Sequence, residues 1–255
     1  MTFPFPQFMP SSVFNPLSLS PLAYWDISNL DSLYQDTAAT TPVTAFGQSV
    51  ARVNDLSGNG YHLLQSSSGN RPLYQTGSGF ASLQFSNASS RYLKVATPAF
   101  PISTVEVYIL AKATGVTAYQ GFLTWAPTSG NDYNHPGATT LDNDVGGYGI
   151  TIEENGGVYH ATGNSSSLGV IDFNRTPSLL QANLNGSSIL SVGSPPTLNA
   201  THGGDFLVGA RYLSGTPSGF LNGNIYAIAI FNTTQTSGNR ALLRTCLGAK
   251  GGLTI

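Results

Sequence analysis

The sequence predicts an all-β domain, a sandwich or barrel of short antiparallel strands. Charged residues make up 9% of the 255 residues, against about a quarter in a typical soluble domain, which excludes long amphipathic helices and coiled coils. Apolar residues alternate with polar ones over short runs, as they do in strands. Asn-Gly pairs at 155–156, 185–186 and 222–223 and Ser-Gly at 129–130 separate several of these runs, as hairpin turns do.

The clearest strand lies at residues 104–112. Val105 and Val107 fall on one face and Glu106 and Tyr108 on the other, which is the pattern of a half-buried strand. Eight further runs predict strands at 121–125, 147–152, 158–161, 168–172, 178–184, 188–192, 205–209 and 223–231. Nine strands at this spacing indicate a two-sheet sandwich or a barrel.

Near the C-terminus the sequence predicts one short helix. Ser237 is suited to cap its start, and Gly248 to stop it after Leu247. No internal repeat or change of composition marks a second domain. We therefore expect a single domain over residues 22–255.

Residues 1–21 form a segment rich in proline and phenylalanine. Proline at this density excludes helix and sheet interior, whereas large aromatic side chains favour burial. We expect an extended arm that makes an assembly contact, on its own domain or on a neighbouring subunit, and a plain unstructured terminus is the alternative. Its aromatic contact residues are Phe3, Phe5, Phe8 and Phe14.

Composition also limits the partners. A net charge of −2 with ten Lys and Arg residues argues against a groove that follows nucleic-acid phosphates. No apolar run reaches about 18 residues, so we expect no membrane insertion. The first residues have no basic segment before an apolar core, so we expect synthesis in the cytoplasm without a signal peptide. Cys246 is the only cysteine, which excludes an intramolecular disulfide and a cysteine-based zinc site.

Residues 55–60 predict a structural turn. Two glycines and an asparagine stand within three positions, which suits a tight turn with positive φ angles. The carboxylate of Asp55 can accept hydrogen bonds from the backbone N–H groups of the turn. The predicted turn residues are Asp55, Ser57, Gly58, Asn59 and Gly60.

The stretch between Trp125 and Tyr148 predicts a long loop at the rim of the domain, where binding sites are common. Aromatic faces with Asn or Asp oxygens suit a sugar, and several carboxylates suit calcium, the one candidate cofactor. An ordinary Asx turn is the alternative. The candidate ligand-binding residues are Asp132, Tyr133, Asn134, His135 and Tyr148. The candidate metal ligands are Asp142, Asn143 and Asp144.

Catalytic patterns are not evident in the sequence. Glycoside hydrolysis needs two carboxyl groups about 5 to 9.5 Å apart, which alternate positions on one strand can provide. Glu106 stands alone on its strand, and the adjacent Glu153 and Glu154 would point to opposite faces of a strand. The sequence has no Gly-x-Ser-x-Gly motif, and its four histidines have no ligand spacing. We expect no enzymatic activity.

Two segments resemble a known family. VNDLSGNGYH at 53–62, followed by RPLY at 71–74, resembles the opening of concanavalin A-like lectin/glucanase jelly rolls. The similarity is to the laminin-G-like kind common in bacteriophage virion proteins and bacterial surface proteins. FLNGNI at 220–225 resembles the family's last strand. The usual Phe-Asp-Gly is Phe-Ser-Asn at 85–87 here, a departure from the family pattern.

The resemblance implies a concanavalin A-like jelly-roll sandwich of two antiparallel sheets with a short C-terminal helix. It also implies a non-enzymatic structural protein on the exterior of a bacteriophage virion, as a capsid decoration or a fibre component. Its partners would be other virion proteins, further copies of itself, with a trimer as one form, and glycans. The alternative is a carbohydrate-binding lectin module on a bacterial cell surface or in a secreted protein.

Overall fold

Two antiparallel sheets pack face to face, and one helix lies on the outer face of one of them. The structure, a computed structural model, describes residues 14–77, 79–98, 100–115, 119–143 and 149–255. This arrangement confirms the predicted all-β sandwich with a short C-terminal helix. Three of the four predicted arm residues, Phe3, Phe5 and Phe8, lie outside the described residues. No helix in the described part of the chain is long and apolar enough to cross a membrane.

The strands are numbered in chain order. They are β1 (Ala23–Asp26), β2 (Leu33–Tyr34), β3 (Arg52–Val53), β4 (Leu63–Leu64), β5 (Leu73–Gly77), β6 (Phe80–Phe85), β7 (Leu93–Val95), β8 (Val105–Ala113), β9 (Gly121–Trp125), β10 (Thr139–Asn143), β11 (Gly149–Glu154), β12 (Gly157–Asn164), β13 (Gly169–Thr176), β14 (Leu179–Leu184), β15 (Ser187–Gly193), β16 (Phe206–Val208), β17 (Arg211–Leu213), β18 (Thr216–Ser218) and β19 (Gly223–Phe231). Short 3-10 helices occur at Pro16–Leu19, Leu30–Ser32, Ser68–Asn70 and Asn87–Ser89.

The first sheet, sheet A, has the strand order β15-β14-β13-β8-β19-β6-β5, and β1 pairs with the second half of β19. The second, sheet B, has the order β12-β11-β10-β9-β16-β7-β4-β3-β2. The hairpin β17–β18 belongs to neither sheet. Neighbours in each sheet are often distant in sequence, which is the pattern of a sandwich with long crossover connections.

Each of the nine predicted runs overlaps a strand, and 121–125 and 223–231 match β9 and β19 at both ends. The prediction that 104–112 is half-buried is wrong. Glu106 and Tyr108 of β8 are buried as well, because the C-terminal helix covers their face of sheet A. Tyr108 Oη donates to Glu106 Oε1, and the guanidinium of Arg240 pairs with the same carboxylate.

The C-terminal helix, α1, spans Ser237–Ala249. Its N-cap is Thr236, one residue before the predicted cap, and the Oγ1 of Thr236 accepts from the backbone N–H of Asn239 at 3.2 Å. Leu243 and Leu247 pack against sheet A. Gly248 does not end the helix, which continues for one more residue.

The core between the sheets is centred on Phe206 of β16. Its ring lies 4.8 Å from that of Trp125 and 5.4 Å from that of Phe100, both edge to face, and 5.8 Å from that of Trp25 in a stacked arrangement. These rings come from both sheets and from a connecting segment. Their burial and mutual contacts hold the two sheets together.

Residues 55–60 bend around the carboxylate of Asp55. The carboxylate of Asp55 accepts from the backbone N–H groups of Tyr24, Ser57 and Tyr61 at 2.9 to 3.0 Å. It also accepts from Ser57 Oγ at 2.7 Å. Gly58 has φ +89° and Gly60 has φ +80°, so the turn needs residues without a Cβ there. Asp55 thus joins the turn to the start of β1.

The described end of the arm lies on its own domain. Phe14 packs beside α1, and its carbonyl oxygen is 3.5 Å from Cys246 Sγ. Contact with the same chain was one of the two arrangements expected for the arm.

Candidate functional site

The candidate site lies on the outer face of sheet B. Leu123, Leu141 and Ile152 point into the core, so the alternating residues of β9, β10 and β11 point outward. Those outward side chains are nevertheless buried, because the hairpin β17–β18 and the residues near 120 and 132 cover them. The outward buried set consists of Thr124, Thr140, Asp142, Thr151 and Glu153.

The hairpin β17–β18 holds Arg211 over this face. Its turn has positive φ at Ser214 and Gly215, and the carbonyl of Ala210, just before β17, accepts from Thr124 Oγ1 at 2.9 Å. The hairpin lies very close to β9 at Gly121, where a Cβ atom would be 2.5 Å from the Ala210 carbonyl oxygen. Glycine at position 121 therefore permits the close contact that positions Arg211.

Arg211 is the centre of a buried ionic cluster. Its Nε and Nη2 donate to the two carboxylate oxygens of Asp132 at 3.2 and 2.7 Å. Its Nη1 donates to Asp142 Oδ2 at 2.7 Å, and Nη2 also donates to Glu153. Thr140 Oγ1 completes the cluster by donating to Asp132 at 2.9 Å. Arg211 and the three acids are each at most 3% exposed in their side chains.

The cluster holds more acidic than basic groups, because three carboxylates surround one guanidinium. Burial alone would lower the pKa of Arg211, but hydrogen bonds to Asp132 and the charges of Asp142, Asp132 and Glu153 raise it overall. Burial raises the pKa of Glu153; Arg211 opposes this effect, and Asp132 adds to it. The guanidinium is therefore permanently charged, and burial favours the protonated form of Glu153.

Two tyrosines flank the guanidinium and form the wall of a pocket. The Cζ atom of Arg211 lies 5.1 Å from the ring centroid of Tyr119 and 5.8 Å from that of Tyr133, within cation–π range. Both tyrosines are 37% exposed. The pocket has a volume of about 390 Å³ and is lined by Tyr119, Tyr133, Glu153, Val158, Arg211 and Leu213.

The structure brings together only part of the predicted ligand set. Tyr133 lines the pocket, and Asp132 lies beneath it as a partner of Arg211. Asn134 is exposed, and His135 Nδ1 accepts from the backbone N–H of Gly137 at 2.9 Å, in the loop beside the pocket. Tyr148 lies outside the described residues.

The predicted metal ligands Asp142 and Asn143 lie in β10, not in a rim loop or turn. Asp142 pairs with Arg211, and Asn143 Oδ1 accepts from the backbone N–H of Gln120 at 2.6 Å. Asp144 lies outside the described residues. The described residues contain no group of three or more His, Cys, Asp or Glu side chains placed to hold a metal ion. Calcium binding therefore stays a prediction.

Sequence reasoning missed Tyr119 and Arg211, and it considered Glu153 only as a catalytic acid. Glu153 and Glu154 do point to opposite faces, as predicted: Glu153 pairs with Arg211, and Glu154 pairs with the buried Arg175 at 2.9 Å. The one available signal was Arg211 itself, a cation that begins a short strand ahead of a Ser-Gly turn. That signal does not identify the partners.

The fold is similar to that of β-sandwich domains in solved structures. The chain is similar to Domain 4 of AbnA, a GH43 extracellular arabinanase from Geobacillus stearothermophilus solved with arabinotriose, with a TM-score of 0.58 and 12% identity over 87% of this chain and 97% of that domain. It is also similar to Trypanosoma rangeli sialidase, with a TM-score of 0.56 and 9% identity over 96% of this chain. The chain covers 36% of that sialidase.

The CBM40 module of Ruminococcus gnavus IT-sialidase, solved with α2,6-sialyllactose, gives a TM-score of 0.48 and 12% identity over 56% of this chain and 84% of the module. No protein-family model matches the chain, and no curated protein matches it in sequence. The relationship to these proteins is thus one of fold.

Proposed function

We propose that this chain is a carbohydrate-binding domain and that the pocket between Tyr119 and Tyr133 holds the sugar. The observation that carries the proposal is the pair of partly exposed tyrosine rings, fixed over a buried Arg211–carboxylate cluster. The fold similarity to a domain solved with arabinotriose supports it. The volume of about 390 Å³ falls within the range of about 300 to 1,000 Å³ common for small-ligand pockets.

The lining matches the two kinds of surface that a sugar presents. Aromatic rings and the side chains of Val158 and Leu213 can cover the C–H face of a pyranose or furanose ring. The hydroxyl groups of the tyrosines and the carboxyl of Glu153 can exchange hydrogen bonds with sugar hydroxyls. Arg211 contributes by holding the rings and acids in place, so that little ordering is needed when the sugar binds.

We propose binding without catalysis. Each of the three acids near the pocket accepts a hydrogen bond from Arg211 and is almost fully buried. A glycosidase needs one carboxyl group free to protonate the leaving oxygen and a second free to act as base or nucleophile. Release of reducing sugar from a bound oligosaccharide would contradict this part of the proposal.

The fold favours the interpretation that this chain is a carbohydrate-binding module. The finer assignment to the exterior of a bacteriophage virion, with virion partners and an oligomer, rests on the sequence resemblance alone. Binding to a glycan is compatible with a virion appendage and with a bacterial surface or secreted protein. Electron microscopy of particles labelled with an antibody against the chain would test the virion assignment.

A glycan-array experiment followed by titration calorimetry tests the proposed function. The purified chain should bind at least one oligosaccharide saturably, and Tyr133→Ala should weaken that binding at least about tenfold by removing one wall of the pocket. Tyr133→Phe should retain most of the affinity, because the ring is preserved.

A matched control uses a second surface that could also hold a sugar. Tyr226 and Phe80 line a depression of about 450 Å³ on the outer face of sheet A, together with Asn224 and Gln84. Tyr226→Ala should leave the affinity unchanged. Loss of binding in Tyr226→Ala but not in Tyr133→Ala would move the site to sheet A, and no binding by the unaltered chain would contradict the proposed function.

A further inference from the structure

We infer that the pocket beside Arg211 selects uncharged glycans and rejects sugars that carry a carboxylate, such as sialic and uronic acids. The inference rests on the proposed function and specifies its ligand class. An arginine between two tyrosines would by itself suggest an anion site, since guanidinium groups bind carboxylates in pairs of hydrogen bonds. The contacts of Arg211 lead to the opposite conclusion.

Four of the five N–H groups of Arg211 already donate to acids, which leaves no free pair for a ligand carboxylate. Its Nε and Nη2 form a two-pronged pair with Asp132, Nη1 donates to Asp142, and Nη2 donates also to Glu153. A ligand carboxylate could form the same kind of pair only by displacing one of these acids. The displaced acid would remain buried without its counter-charge, which is strongly unfavourable.

The charge of the cluster is not positive in any protonation state in which Asp132 and Asp142 are ionised. Arg211 contributes one positive charge, and Asp132, Asp142 and Glu153 contribute up to three negative charges. Glu153 also interacts with His160 on the neighbouring strand β12. With His160 protonated and Glu153 neutral, the charges cancel; every other combination with Asp132 and Asp142 ionised is negative.

The other described residues that line the pocket add no positive charge, since they are tyrosines and aliphatic residues. A ligand carboxylate would therefore lose its hydration next to buried negative charge, where repulsion is weakly screened. An uncharged sugar avoids this repulsion.

The test compares matched glycans on the full chain. The array should carry neutral oligosaccharides, arabinotriose and lactose among them, and the same cores extended with sialic or glucuronic acid. We expect neutral glycans to bind and their acid-extended forms to bind at least about tenfold more weakly. Because the cluster is buried, the ratio of the two affinities should change little as NaCl rises from about 0.05 M to about 0.5 M.

A variant adds an internal check. Asp142→Asn removes one negative charge while keeping an oxygen that can accept from Arg211. The ratio of the affinity for neutral glycans to that for acid-extended glycans should therefore fall by about tenfold. Circular dichroism shows whether the variant is folded. If it is not, the comparison of neutral and acid-extended glycans on the unaltered chain still tests the inference.

The outcomes separate the two proposals. Equal or tighter binding of the acid-extended glycans would overturn the inference and leave the proposed function standing. Binding of no glycan of either kind would overturn the proposed function, and the inference with it.

Discussion

Arg211 and Asp132 form a two-pronged ion pair beneath the candidate site, with Nη2–Oδ1 at 2.7 Å and Nε–Oδ2 at 3.2 Å. Asp132 also accepts from the backbone N–H of Tyr212 at 2.9 Å. The pair therefore fixes both the guanidinium and the strand that carries it. One ion pair thus links the loop near residue 132 to the hairpin β17–β18.

Removing the guanidinium should be strongly destabilising. Arg211→Met would leave Asp132, Asp142 and Glu153 buried without the guanidinium, and we expect a loss of about 3 to 5 kcal/mol in the free energy of unfolding. Denaturant unfolding followed by tryptophan fluorescence measures it. Lys94→Met is the matched control: the Lys94–Asp205 pair is partly exposed, so its loss should cost at most about 1 kcal/mol. A similar cost for the two variants would contradict a structural role for the cluster.

The stability contribution of Glu153 should depend on pH. Its pKa is raised above the ordinary 4.5, so the folded state binds the proton more tightly than the unfolded state does. This contribution is present below 4.5 and is lost as the pH rises through the raised pKa. Glu153→Gln cannot ionise, so its stability relative to the unaltered chain should improve as the pH rises from about 4 to about 8. Unfolding curves across that range test this. A constant difference would mean that folding does not shift the pKa of Glu153, and an opposite trend would mean that the fold favours its ionised form.

Gly121→Ala should displace the hairpin β17–β18. A Cβ atom at this position would lie 2.5 Å from the carbonyl oxygen of Ala210, so the backbone would have to shift. We expect a destabilisation of about 1 to 3 kcal/mol and weaker glycan binding. Gly193→Ala is the control, since no atom lies within 4 Å of a Cβ there. Unchanged affinity in Gly121→Ala would mean that the hairpin position is unimportant for the ligand.

The turn at Asp55 should matter for stability and not for binding. Asp55→Ala would leave the N–H groups of Tyr24, Ser57 and Tyr61 without their acceptor, and we expect a loss of about 2 to 4 kcal/mol. Asp55→Asn should lose less, because one oxygen remains. Thermal unfolding measures the stability of both variants, and affinity for a glycan, measured below the melting range, should stay the same. A folded Asp55→Ala chain that binds no glycan would give the turn a role in recognition.

Calcium should have little effect on the described residues of the site. Asp142 and Asn143 already bond to Arg211 and Gln120, and recruiting them to a metal would break those bonds. We therefore expect the same melting temperature and glycan affinity with calcium and with a chelator. A clear rise of the melting temperature in calcium would instead support the metal site predicted at residues 142–144.

The strands and the turn at Asp55 followed from the sequence because their causes are local. Alternation of apolar and polar residues marked β8, and a carboxylate followed by two glycines marked the turn. The strand β10 was missed because both of its faces are buried, so TTLDN at 139–143 lacks the alternation of a half-buried strand. Burial of Glu106 was missed because it depends on a helix that begins 131 positions later in the sequence.

The site itself was decided by the tertiary structure. Arg211 stands 79, 69 and 58 positions from Asp132, Asp142 and Glu153. Asp132 lies in a loop. The other two acids come from β10 and β11, whose register pairs Asp142 with Thr151 and Thr140 with Glu153 and so places the two acids diagonally on one face. The sequence by itself determined the all-β sandwich and the residue types available at its rim. Which of those residues meet depended on strand pairing and on the close approach at Gly121, because such contacts form only after distant segments have packed.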